Sequence, residues 1–170
     1  MRVLGIDPSS QATGFGIIEY GDNEYKVQAF GTIKPSRRLP LHEKLNEIKE
    51  RLEELIKAYA PEDVAVENPF YAQNIRTALV LGQVRGAVLV AVASSRCSLF
   101  EYSALEIKKA VTGYGQAEKE QVKTMVRALL NIEDEFLSPD ASDALATAYC
   151  HLNTRLFQQR VEESTSREKQ

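Results

Sequence analysis

Along the first third of the chain the apolar positions follow a strand period. Arg2 to Asp7 is a short apolar run with a charge at each end, Thr13 to Tyr20 carries Phe15, Ile17 and Ile18, and Tyr25 to Lys34 alternates through Tyr25, Val27, Ala29 and Phe30. The connections Pro8-Ser9-Ser10 and Gly21-Asp22-Asn23 are short turn-forming clusters, so three strands are predicted to pair as an antiparallel meander. The period then changes. Leu41, Leu45, Ile48, Leu52, Leu55, Ile56 and Tyr59 recur mostly at spacings of three and four, an amphipathic helix that Pro61 ends. Val64-Ala65-Val66-Glu67 is too short and too β-branched for a helix. Following a helix that can act as a crossover, it reads as a buried parallel strand with a carboxylate at its end.

Further along, the pattern predicts a helix over about Ile75 to Ala93, a fifth strand over about Cys97 to Tyr102, and helices over Ala104–Val111 and Glu118–Leu130 around the loop Thr112-Gly113-Tyr114-Gly115. Ser138-Pro139-Asp140 starts a last helix, with Ser as N-cap and Pro at the first helical position. Three strands, then βα units, then helices predict an α/β domain: a mixed five-stranded sheet with helices on both faces. The chain has 170 residues, 44% hydrophobic and 26% charged, which suits one domain over residues 1–158 and a charged, disordered tail over 159–170.

Charge and cysteine content narrow the function classes. A net charge of −3 means that any contact with nucleic acid relies on a local basic patch. Basic residues do collect at Arg37, Arg38, Arg76, Lys108, Lys109, Lys119, Lys123 and Arg127. Cys97 and Cys150 make neither a disulfide framework nor a zinc site and read as two reduced thiols. Asp7 falls where a signal peptide needs an unbroken apolar run, and the most apolar stretch, Ala78 to Ala93, contains Gln83 and Arg85 and falls short of roughly 20 apolar residues. The expectation is a cytoplasmic protein with no membrane association.

Asp7 and Glu67 end strands, and Asp140 and Asp143 share the first turn of a helix, so all of these carboxylates sit at element ends, where sites in open α/β sheets form. Brought together, they would repel strongly unless protonated or neutralised by cations. Oxygen-only ligands suit Mg²⁺ or Mn²⁺, and two such ions about 3.5–4 Å apart can clamp the attacking water and the leaving oxygen of a phosphodiester. Each residue also has a plainer reading. Asp140 could complement the helix dipole, Asp7 before Pro8 could be a turn residue, and Glu67 a simple strand end. Asp143 interrupts the small apolar run Ala141-Ser142-Asp143-Ala144-Leu145-Ala146, where an unpaired buried carboxylate would be expensive. His151 lies about 12 Å beyond Asp143 along a helix, too far to share its metal, and His42 has no obvious partner.

Gly5-Ile6-Asp7-Pro8, Thr13-Gly14-Phe15-Gly16, Val66-Glu67, Leu81-Gly82-Gln83-Val84-Arg85-Gly86, Gly113-Tyr114-Gly115-Gln116-Ala117-Glu118-Lys119 and Asp140-Ala141-Ser142-Asp143-Ala144-Leu145-Ala146 occur in that order. Together they resemble the RuvC family of crossover junction endonucleases over about residues 1–155. The resemblance implies a ribonuclease-H-like fold, a homodimer, and Mg²⁺-dependent resolution of four-way DNA junctions by symmetric paired nicks that leave 5′-phosphate and 3′-hydroxyl ends. It places the family's acidic positions on Asp7, Glu67, Asp140 and Asp143 as metal ligands and catalytic residues. The family's lysines fall on Lys108 and Lys119, and its base-stacking aromatic on Phe70. Arg76 joins these as a candidate DNA contact.

Gly82 and Gly86 share one helix face, which by family analogy is a dimer interface and otherwise tight packing on the chain's own sheet. A branch-migration motor and a junction-recognition protein are implied as partners. Ser9 departs from the Gly that family members often carry. A nuclease of the same fold acting on RNA:DNA hybrids, a non-catalytic junction-binding scaffold, and a nucleotide-binding protein using Gly5-Ile6-Asp7-Pro8-Ser9-Ser10 as a phosphate turn remain alternatives.

Overall fold

The computed structural model describes residues 1–9, 11–68, 74–133 and 137–167. Strands β1 (Arg2–Asp7), β2 (Thr13–Gly21) and β3 (Glu24–Ile33) form the expected meander, and β4 (Asp63–Glu67) and β5 (Ser98–Tyr102) extend it in parallel from β1. The sheet order is β3-β2-β1-β4-β5. The hairpin between β2 and β3 turns on Asp22 and Asn23, both at positive φ, which short polar side chains tolerate.

Alternation within each strand sends side chains to two cores. On one face Leu4, Ile6, Ile17, Val64 and Val66 meet α1 (Leu41–Tyr59) through Ile48, Leu52 and Ile56, and α2 (Ile75–Ala93) through Val84, Val88 and Val92. On the other, Val3, Ile18 and Ala65 meet α3 (Ala104–Thr112), α4 (Lys119–Leu130) and α5 (Pro139–Arg167). The helices begin and end on local signals. Asn74 accepts from the Thr77 N–H at 2.9 Å, the Ser103 hydroxyl accepts from the Glu106 N–H at 3.3 Å, and Gly113 closes α3 at φ 78°.

α5 lies against β1 and β2 almost backbone to backbone. A Cβ on Gly5 would stand 2.1 Å from the Ala144 carbonyl oxygen, and one on Gly14 would stand 2.0 Å from that of Asp140. Only glycine permits that approach.

Three expectations are corrected or refined. α5 continues through Arg167, where a disordered tail was predicted from 159. Beyond Leu156 its side chains are mostly exposed, so local hydrogen bonding rather than burial carries the helix on. By length and a mean hydropathy of 1.6, α2 is long and apolar enough to cross a membrane, contrary to the reading of Ala78–Ala93. In the fold one stripe of α2 packs on the sheet and on α1, and Arg85 pairs with Glu101. Finally, tight packing of Gly82 and Gly86 on their own sheet does not occur: among the described residues no atom beyond the neighbouring turns of α2 lies within 4 Å of where either Cβ would be.

Candidate active site

The strands that carry Asp7 and Glu67 are neighbours running the same way, so both carboxylates emerge at one end of the sheet. The Gly14 contact brings the first turn of α5, with Asp140 and Asp143, to that same end. Asp140 lies beside Ser138, whose hydroxyl accepts from the Ala141 N–H at 3.3 Å and starts the helix. The loop after Asp7 is held by Thr13, which is fully buried. Its hydroxyl donates to the Ser9 carbonyl at 2.6 Å and accepts from the Ser9 N–H at 3.2 Å, so Ser9 keeps an ordered turn through backbone groups.

A cleft of about 240 Å³ is lined by Asp7, Glu67 and Asp143, by Lys108 from α3 and by Lys119 from the start of α4. A second cleft shares Asp7 and is lined by Asp140, Ser9, Gln11 and Arg76. Asp7 thus stands between the two. Its carboxyl is pushed up from 3.8 to about 8, first by burial and then by the charges of Glu67, Asp143 and Asp140. Burial, then Asp143, also raises Glu67. Asp143 is not unpaired: Lys119 Nζ donates to its Oδ2 at 3.0 Å, and that hydrogen bond is the main reason the lysine is held above its ordinary range.

Mutual destabilisation of carboxylates that offer only oxygen donors is the signature of a site for hard divalent cations. Among the described residues no group of three yet stands close enough to hold an ion as it is. The donors fit a hard divalent cation in kind and charge.

A family model described as crossover junction endodeoxyribonuclease RuvC matches residues 3–151. The chain belongs to the RuvC family. A crossover junction endodeoxyribonuclease RuvC of Alkaliphilus metalliredigens is 43% identical over 93% of this chain and 96% of its own length. The Thermus thermophilus RuvC solved with a Holliday junction substrate superposes with a TM-score of 0.84 at 33% identity, covering 89% of this chain and 93% of that one. The yeast mitochondrial Holliday junction resolvase, at 14% identity and a TM-score of 0.61 over 87% of this chain and 77% of that one, shares the fold. The architecture is therefore the ribonuclease-H-like fold of RuvC proteins, and the chain is a RuvC-type structure-selective endonuclease for Holliday junctions. RuvC enzymes use divalent metal ions.

Of the residues singled out from the sequence, Asp7, Glu67, Asp140, Asp143, Lys108, Lys119 and Arg76 line the two clefts. Phe70 lies outside the described residues. Gly82 and Gly86 line neither cleft, although Arg76, Thr77, Val80 and Leu81 of the same helix line the second. Sequence reasoning missed Thr13 and the close-approach role of Gly5 and Gly14. The small-residue run Ala141, Ala144 and Ala148 on α5, opposite glycines in β1 and β2, was the available signal.

Proposed function

We propose that the chain resolves four-way DNA junctions by paired symmetric nicks, with Asp7, Glu67, Asp140 and Asp143 holding two Mg²⁺ ions, for which Mn²⁺ can substitute. The observation that carries this reading is the position of Asp7 between a cleft shared with Glu67 and Asp143 and a cleft shared with Asp140. Divalent ions, when bound, polarise the phosphate and lower the pKa of the attacking water. The chain's own groups do the rest. Asp7 supplies an oxygen to each cleft. Lys119, its side chain 80% exposed, exchanges Asp143 for a phosphate oxygen, and Lys108 faces the same cleft as a second point charge. Arg76, exposed at the mouth of the other cleft, contacts the backbone of the incoming strand, and Phe70 stacks on an unpaired base. The products are a 5′-phosphate and a 3′-hydroxyl.

The open glycines Gly82 and Gly86 sit on a helix that also exposes Ile75, Leu79 and Val90, a face suited to a second copy of the chain. A two-fold dimer would set two sites against two strands of a two-fold junction. We place the enzyme in the cytoplasm, working with a branch-migration motor and a junction-recognition protein.

The deciding experiment incubates the protein with an immobile four-way junction, matched duplex and RNA:DNA hybrid, each in Mg²⁺ and in EDTA, and maps nicks. Paired Mg²⁺-dependent nicks in the junction alone are expected. Cutting of the hybrid alone would overturn the substrate, and tight junction binding without cutting in any metal would make the protein a scaffold.

A further inference from the structure

A buried polar chain runs through the molecule away from the clefts. His151 on α5 is fully buried, with Nε2 2.8 Å from Asp63 Oδ2 at the start of β4 and Nδ1 2.8 Å from the Tyr102 hydroxyl at the end of β5. With Asp63 as the acceptor, the imidazole donates through Nε2–H, and its bare Nδ1 accepts the Tyr102 proton. Phe100 packs on the imidazole at 4.4 Å between ring centroids, and Arg155 approaches Asp63 at 3.7 Å. Every polar atom of the imidazole is therefore satisfied in one orientation, which makes the contact directional where the surrounding apolar packing is not.

Two of the three elements joined here, β4 and α5, carry carboxylates of the site. In β4, Asp63, Ala65 and Glu67 share the face toward α5, and Asp63 lies about 13 Å from Glu67 at 3.3 Å per residue. On α5, Asp143, Thr147 and His151 follow one another on successive turns, and Asp143 lies about 12 Å from His151 at 1.5 Å per residue. The two spans match. Locking Asp63 to His151 at one end sets Asp143 opposite Glu67 at the other. Tyr102 adds the neighbouring strand, which pairs with Glu67 in register and leads through Ser103 into α3 and Lys108. α5 is seated backbone to backbone on β1 and β2 at Gly5 and Gly14, and the polar chain ties the same helix to β4 and β5.

We propose that the Tyr102–His151–Asp63 chain is a positioning device for phosphodiester hydrolysis, holding α5 in register with β4 so that the carboxylates meet a common cation. It rests on the metal-dependent reading above. Tyr102, His151 and Asp63 touch neither metal nor DNA; they act through Asp143 and Glu67.

The test compares Tyr102→Phe, which removes one hydroxyl, and His151→Gln with Leu152→Val, a core deletion on the same helix that leaves the polar chain intact. Groups hydrogen-bonded directly to metal ligands are worth about 10–100-fold in metal affinity or activity, and a chain acting through about two turns of helix is assigned the lower end of that range. Tyr102→Phe and His151→Gln are thus expected to weaken Mn²⁺ binding, read by electron paramagnetic resonance titration, and to lower kcat by about tenfold. KM and junction affinity in EDTA should stay at the parent value, and Leu152→Val should change only the melting temperature. Should Tyr102→Phe match the parent in Mn²⁺ affinity and kcat, or should Leu152→Val mimic its losses, the chain is merely structural and the proposal falls. Loss of Mn²⁺ affinity in Tyr102→Phe, in a parent that does not cut junctions, would keep the positioning device and reject the substrate.

Discussion

Asp7 is buried beside Glu67, Asp143 and Asp140, and its chemistry can be tested one atom at a time. Asp7→Asn keeps the shape and removes the charge. Nicking should fall below detection while junction affinity, measured by gel shift in EDTA, holds at neutral pH and exceeds that of the parent as pH rises through about 8, where the parent's carboxyl becomes charged near the phosphates. Stability provides a second check. With its carboxyl at about 8 in the fold against 3.8 ordinarily, Asp7 keeps a proton that the unfolded chain gives up. Its contribution to stability therefore declines as pH rises through that window and is flat above it. In EDTA the melting temperature of Asp7→Asn should exceed that of the parent by a margin that grows from pH 5 to pH 8, and Mg²⁺ should shrink that margin. His151 has the opposite sign. Burial lowers its pKa, so the stability it contributes as a neutral group is lost as pH falls through about 6.5. Lys119 separates function from stability: exposed ion pairs contribute little to folding, so Lys119→Ala should leave the melting temperature unchanged and lower kcat.

At the scale of elements, α5 carries the site, and its seat on the sheet is set by missing side chains. A methyl group on Gly14 would stand 2.0 Å from the Asp140 carbonyl oxygen, so Gly14→Ala must shift the turn that bears Asp140. Overpacking of this kind costs about 1–3 kcal/mol, and thermal denaturation should show that loss together with loss of nicking. Gly21→Ala, whose new methyl meets nothing within 4 Å, should show neither. Periodicity located α5 and its N-cap correctly, since capping is local. The helix running on to Arg167 has no apolar period to announce it, because backbone hydrogen bonds extend a helix already anchored by a packed stretch.

For the whole molecule the net charge of −3 opposes DNA binding, which must come from the basic residues gathered near the clefts. Junction affinity should therefore fall steeply with salt, with log K linear in log salt concentration. The α2 face should govern assembly. Gly82→Leu, placed where among the described residues no atom beyond the neighbouring turns of α2 lies within 4 Å, is expected to leave the melting temperature of the monomer unchanged. Light scattering should show a dimer for the parent and a monomer for the variant, and nicks should lose their pairing. The order of motifs, the strand and helix periods, the Ser138 cap and the carboxylates at element ends were all legible in the sequence, because each depends on residues a few positions apart. Only the folded chain places Lys119 on Asp143, sets Asp7 between two clefts, and joins Asp63 to His151 and Tyr102. Those pairings bridge elements far apart in sequence, and no local period encodes the angle and register at which α5 crosses the sheet; packing decides both.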